Sequence, residues 1–208
     1  MARPKRQDAR RADLVEAALS AVSEHGLRSI SLTDVAQQAG LTRGAILYYY
    51  ADLDALLVEA HRAGVERYCD ARDELIAGLS DPREQLAVAI QEGLPDGPDD
   101  ALMRLLYEFD ILAGNSSLHD EMVETMYSRQ LATYTGVLHR GIAAEMFAPQ
   151  LDVATLAMTL VALEDAYGLH IVGGNSLIDV PQAEQAMRRV AEKLGAAPGA
   201  GRRGTRSA

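Results

Sequence analysis

Residues 31–50 read SLTDVAQQAGLTRGAILYYY, and their spacing predicts two short helices around a tight turn. Ser31 is a good N-cap, and Asp34, three residues on, closes a capping box with a shorter acid than the usual Glu. Leu32, Val35, Ala36 and Ala39 recur at three-to-four spacing and give the first helix a buried face. Gly40 takes the left-handed conformation that ends it. Thr42 is a second N-cap, opening a run from Arg43 to Tyr50 in which Ile46 and Tyr50 point inward while Arg43, Ala45, Tyr48 and Tyr49 stay outward.

That outward face is small, cationic and aromatic. Arginine bonds guanine bidentately, alanine touches a thymine methyl, and tyrosine hydroxyls reach phosphate oxygens, so the face suits a DNA major groove. Spacing alone also fits an ordinary helical hairpin carrying a surface tyrosine cluster.

The residues go further and resemble the DNA-binding half of the TetR family of helix-turn-helix transcriptional regulators. Ser31, Val35, Ala36, Ala39, Gly40, Leu41, Thr42, Gly44, Tyr49 and Tyr50 stand at matching places. Upstream, Leu14, Ala17, Ala18 and Gly26 resemble the family's first helix and its exit, and Leu56 and Leu57 match its fourth helix. Two positions depart: the family's first tyrosine is Leu47 here, and the lysine that often opens the fourth helix is Leu53. The resemblance implies a DNA-binding set of Thr33, Thr42, Arg43, Gly44, Ala45, Tyr48 and Tyr49, with Tyr48, Tyr49, Thr33 and Thr42 carrying more of the backbone clamp.

Charge divides the 208 residues in the same way. Residues 1–62 carry eight Lys/Arg against eight Asp/Glu, residues 63–195 nine against twenty-two, and the last thirteen three against none, for a net −10. An acidic protein binds DNA when its positive charge is gathered on one face. Arg3, Lys5, Arg6, Arg10 and Arg11 lie before or at the start of the first helix, where a mobile arm reaches a neighbouring groove or a terminus is simply solvated. Cys69 is the single cysteine, which excludes an intrachain disulfide and a cysteine metal cluster. His25, His61, His119, His139 and His170 show no paired ligand spacing, and no nucleophile sits in a catalytic motif. We expect no metal, no cofactor and no enzymatic activity. With no signal peptide and no apolar run of membrane length, the expected location is the cytoplasm.

The remaining sequence predicts an all-α chain. Asp52 caps a long helix reaching about Gly78, with Leu56, Leu57, Ala60, Gly64, Tyr68, Ala71, Leu75 and Leu79 along one side. Further helices are expected at about 82–92, 99–113, 117–146, 152–173 and 181–195. The domain organisation read from this is a three-helix DNA-binding domain over 1–51, a larger helical effector-binding and dimerisation domain over 52–195, and a disordered tail over 196–208.

Two features of the acidic part suggest a ligand. Leu118, Met122, Met126, Leu131, Tyr134, Leu138 and Ile142 give one helix an apolar face. With Met103, Tyr107 and Phe109 on the preceding helix they form a core rich in adaptable methionine and in tyrosines with polar tips. Between Val153 and Gly174, Glu164 and Asp165 are the only Asp, Glu, Lys or Arg residues in a helix that is apolar nearly all round. Either they pair internally with Arg104, Arg129 or Arg140, or with Tyr167 or His170 they face a pocket that favours a cationic small molecule. The candidate ligand-binding set is Tyr107, Met122, Met126, Glu164, Asp165, Tyr167 and His170. Residues 141–170, including Phe147, Asp152 and ALEDAYGLH, resemble more weakly the regulatory domain of the choline-responsive repressors of the family. Leu156, Leu160, Leu163 and Tyr167, with Ala183, Ala186, Met187, Val190 and Leu194, offer seams for a homodimer built as a four-helix bundle.

The expected function is thus a homodimeric regulator, a repressor in its simplest form, that binds a double-stranded inverted-repeat operator and is released by a small-molecule effector. A transcriptional activator, a low-specificity architectural DNA binder and a helical enzyme are the alternatives.

Overall fold

The structure, a computed structural model, describes residues 3–112 and 117–199, with side chains for residues 7–110 and 120–199. Leu118 and His119 lie outside the described side chains. Among the described residues the chain is helical with no strand: α1 (Arg3–His25), α2 (Leu32–Gln38), α3 (Arg43–Leu47), α4 (Leu53–Ala77), α5 (Pro82–Gly93), α6 (Ala101–Leu112), α7 (Ser117–Ala143), α8 (Val153–Val172) and α9 (Val180–Lys193). The all-α expectation holds. The described residues up to Arg67, with those of 101–123, pack as one compact unit; Tyr68–Asp100 and the described residues from Glu124 onward pack as a second.

In the first unit, Leu14, Ala18, Ala21 and Val22 of α1 are buried, as are Val35 and Ala36 of α2, Ile46 of α3 and Leu56 and Ala60 of α4. Burying these side chains holds α2 and α3, which at seven and five residues are too short to persist alone. Helix α6 belongs to this core. A Cβ added at Gly64 of α4 would meet Leu106 at 3.3 Å, and the rings of His61 and Phe109 stack at 4.2 Å. At the end of α1, Gly26 adopts φ 75°, and the next amide, Leu27 N–H, donates to Glu108 Oε2 on α6 at 2.6 Å.

The basic N-terminus differs from an arm: the helix already begins at Arg3. Arg10 and Arg11 are therefore helical, while the side chains of Arg3, Lys5 and Arg6 lie outside those described.

The second unit centres on α5, α8 and α9. Leu86 and Ile90, Leu156, Leu160 and Val161, and Ala183 and Met187 share one core with Tyr134, Leu138 and Phe147. Helix α8 spans 20 residues and includes an 18-residue window with a mean hydropathy of 1.2, long and apolar enough by length and composition to cross a membrane. This corrects the expectation that no such run exists. Its inward side fills the core of the second unit, while Met158 and Leu169 on its other side stay exposed.

Of the residues expected to form dimer seams, Leu156, Leu160, Ala183 and Met187 are wholly buried within their own chain, whereas Leu163, Tyr167, Ala186, Val190 and Leu194 are half-buried. Beyond α9, Ala196 is buried and Gly199 N–H donates to Arg83 O at 2.7 Å. Residues 200–208 of the expected tail lie outside the described residues.

Candidate nucleic-acid interface and effector region

The turn between α2 and α3 is built by its caps. Ser31 accepts from the amides of Thr33 (3.2 Å) and Asp34 (3.4 Å), while its own N–H donates to Asp34 Oδ2 at 2.8 Å. The capping box is complete with aspartate in the third position. The Ser31 hydroxyl also donates to Asp34 Oδ2 at 2.6 Å, and this bond first, then the one from Ser31 N–H, holds the Asp34 carboxyl below its usual pKa. Gly40 adopts φ 63°, and Thr42 caps α3 by accepting from Ala45 N–H at 3.2 Å. That bond uses an acceptor lone pair of Thr42 and leaves its hydroxyl proton available to donate.

The register of α3 follows. Ile46 and Tyr50 are buried; Arg43, Gly44, Leu47 and Tyr48 are exposed; Ala45 and Tyr49 are half-buried. Tyr48 and Tyr49 stand edge to face with centroids 5.0 Å apart. Thr33 and Thr42 are exposed beside this strip. Arg11 ties the end of α3 into the unit: it donates to Tyr49 O at 2.9 Å, pairs with Glu59 and stacks over Tyr50 at 4.4 Å. Arg11 is thus spent inside the fold. Burial, with Glu59 nearby, pushes the Tyr50 hydroxyl up to about 12, so it stays neutral.

The proposed effector residues divide between the units. Tyr107 and Met122 are buried in the first; Met126, Glu164, Asp165, Tyr167 and His170 belong to the second.

Glu164 sits at zero exposure with Arg72 at 2 %. Arg72 Nη1 and Nη2 donate to its two carboxylate oxygens at 3.0 and 2.7 Å. Tyr68 and Tyr134 hydroxyls add bonds of 2.8 and 2.6 Å, and Gln130 Nε2 adds one of 2.9 Å. Bidentate geometry and these added bonds to the carboxylate are what make the buried pair tolerable, although Arg72 Nε finds no partner among the described residues. Burial opposes the Arg72 charge, yet Glu164 and the two tyrosines hold its pKa well above the usual value. The Tyr134 hydroxyl is driven well above its ordinary range by burial and by Glu164. Helix α5 reaches this cluster at Gly93, where a Cβ would fall 2.2 Å from Glu164 Oε2; only glycine permits the approach.

Among the partners expected for Glu164, Arg129 pairs with Asp70 and Asp73 and Arg140 donates to Gln85; the observed partner is Arg72. The signal was present, since Arg72 lies four residues after Tyr68 and four before Ile76, on the buried side of α4. The expected side through Ala71 and Leu75 is instead exposed.

Asp165 is half-buried and accepts from Gln130 Nε2 at 3.1 Å. Burial first, and then the neighbouring Glu164 charge, raise its carboxyl to about 6. Tyr167 is half-buried against the core. His170 is exposed, its Nδ1 3.2 Å from Asn175 Nδ2. Gln130 thus joins Glu164 to Asp165, whereas His170 stands apart on the open side of α8.

A capped helix pair presenting arginine, threonine and tyrosine outward, on a small three-helix head, defines a helix-turn-helix DNA-binding regulator of transcription. Residues 14–60 match the family described as bacterial regulatory proteins, tetR family. The HTH-type transcriptional regulator BetI of Burkholderia cenocepacia (strain HI2424) is 30% identical over 175 residues, covering 81% of this chain and 86% of the relative. The chain belongs to the tetR family. Relatives and structural neighbours alike are transcriptional regulators rather than enzymes. A TetR transcription regulator from Haloarcula marismortui superposes with a TM-score of 0.82 at 20% identity, over 90% of this chain and 99% of that one. A transcriptional regulator from Saccharomonospora viridis, solved in complex with choline, gives 0.81 at 21% identity over 88% and 95%.

Proposed function

We propose that the chain is a cytoplasmic, effector-released repressor that binds an inverted-repeat operator as a homodimer, with 1–51 as the reading head and 52–195 as the effector and dimerisation part. The observation that carries this reading is the outward strip of α3, held by the Thr42 cap. Arg43 reads guanine. Tyr48, Tyr49, Thr33 and Thr42 clamp phosphates, and Ala45 lines the groove. Gly44 fits the same role: a Cβ there would meet nothing of the chain nearer than Thr42 Oγ1 at 3.9 Å, so the fold itself does not demand glycine, and close approach of a DNA backbone does.

Two heads must reach successive major grooves about 34 Å apart, which requires a twofold pair. The face suited to it is the exposed side of α8, where Ala154, Met158, Ala162, Ala166 and Leu169 recur at three-to-four spacing, with Met158 52% and Leu169 50% exposed. Small residues between large apolar ones suit close helix packing.

The effector is a small cation, bound in the acidic part. The choline complex of the Saccharomonospora viridis neighbour supports this chemistry. Glu164 is neutralised by Arg72, so Asp165 supplies the charge, with Met126, Tyr167 and His170 of the same unit as further candidates; Tyr107 and Met122 belong to the other unit. Release requires the effector to favour a conformation with the wrong head separation; turning 99:1 into 1:99 takes about 5.5 kcal/mol of differential binding.

The test is selection from a genomic fragment library at two salt concentrations. A recovered palindrome that resists competitor DNA is the expected result, and salt-sensitive retention without a motif would favour an architectural binder. On the recovered operator, Arg43→Ala should cost about 1–3 kcal/mol and relax base preference. Equal losses on operator and random DNA would remove its base-reading role.

A further inference from the structure

Leu47 is a large aliphatic side chain left 46% exposed in the centre of the outward strip of α3. The head is not short of core at this point, because Ile46 and Tyr50 on either side of it are buried at 0% and 4%. Leu47 lies four residues after Arg43, so the two side chains stack on one face of the helix. Tyr48, at 69% exposure, borders it. The strip therefore offers a guanidinium and, one helical turn further, an isobutyl group. Ala45 is half-buried and short, so of the aliphatic groups on α3 Leu47 reaches furthest outward.

Only one feature of the major-groove edge rewards such a group. The C5 methyl of thymine is apolar, and it separates thymine from the other three bases. Burying a methyl-sized group between the two partners is worth about 0.8 kcal/mol, or roughly four-fold in affinity. Four residues of helix rise about 6 Å, close to two base-pair steps of about 3.4 Å.

We infer that Leu47 is a specificity-determining residue that reads a thymine methyl in each half-site, within about two base pairs of the guanine read by Arg43. The inference rests on the DNA-binding reading above and deepens it.

The experiment replaces each thymine of the selected operator in turn by deoxyuridine, which pairs identically and lacks only the methyl. For the wild-type protein at least one position per half-site should weaken binding about four-fold. Leu47→Ala should bind the thymine and uracil operators equally at that position while keeping its preference for the guanine. Leu47→Met, which retains an apolar tip, should restore part of the ratio. Far-UV circular dichroism confirms that both variants fold, as expected for an exposed side chain. A wild-type protein indifferent to every uracil, or a Leu47→Ala protein with the full thymine-to-uracil ratio, would overturn the assignment while leaving the operator intact. Absence of any specific operator overturns the DNA-binding reading itself, and this inference with it.

Discussion

Helices α3 and α8 distribute charge in opposite ways. The short α3 buries Ile46 and turns Arg43 and its tyrosine neighbours to solvent; the long α8 buries Glu164 and turns Met158, Ala162 and Leu169 to solvent. Each helix thereby shows what its outer face is fitted to meet. A cationic, hydroxyl-bearing surface on a capped turn suits a polyanion whose base edges carry donors and acceptors. An apolar stripe with small residues suits another protein surface. The interiors differ as much. The first unit's reading helix is fixed by local bonds from Ser31 and Thr42 and tied down by Arg11 from α1, whereas α8 is fixed by an ion pair that joins residues 72 and 164.

The sharpest way to break that contrast is to remove one half of the pair. Arg72→Met leaves the Glu164 carboxylate buried beside two tyrosines and a glutamine, and Glu164→Leu leaves the Arg72 guanidinium without its partner. Either change should cost about 3–5 kcal/mol, read from the urea midpoint. The double variant should lose less than either single one, because no uncompensated charge remains. Additive losses would show that the pair is not the interaction that positions α8.

A smaller effect sharpens the same comparison through pH. The folded carboxyl of Asp165 titrates near about 6, above its ordinary 3.8. A raised carboxyl pKa means the folded state binds more protons than the unfolded one between those values. Stability therefore falls as pH rises from about 4 to about 6 and then levels off. Asp165→Asn keeps an acceptor for Gln130 and removes this cost. It should raise stability by about 1–3 kcal/mol at pH 7.5, with the gain vanishing towards pH 4. Thermal unfolding of both proteins across that range is the check, and a gain independent of pH would assign the effect to packing instead. The cationic effector should also bind the asparagine variant more weakly, since the charge it meets is gone.

The two regions were not equally legible in the sequence. The reading head's caps, its turn glycine and its inward Ile46 and Tyr50 are local, set within four residues of one another, so spacing discloses them. The boundaries of α4, α5 and α8 follow from Asp52, Asp81 and Asp152, each of which caps its helix. Spacing marks Arg72 as lying on the buried side of α4 but does not pair it with Glu164, which is 92 residues away. Three other arginines were equally plausible by composition. The outer face of α8 was hidden for a different reason. A helix that is apolar nearly all round has no preferred direction in its periodicity, so which stripe faces the core is decided by packing.

That undecided stripe gives the mildest expected effect on the fold and the clearest on assembly. Met158 is half-exposed and makes no demand on the core, so Met158→Lys should change the folding of the chain by no more than about 0.5 kcal/mol. In a twofold pair, however, the same position meets its symmetry mate's stripe, and each substitution then places a charge on both sides of one interface. Sedimentation equilibrium should show the wild type as a dimer and Met158→Lys shifted towards monomer, with circular dichroism unchanged. Operator binding should fall with the dimer, since a lone head keeps only one half-site, while weak binding to random DNA should persist because the α3 strip is untouched. Dimer mass retained by both Met158→Lys and Leu169→Lys would move the interface off α8, and α9 would become the next surface to probe. Loss of mass together with loss of helicity would mean that the chain folds only as a pair, so that the outer face of α8 belongs to the fold as much as the ion pair on its inner side does.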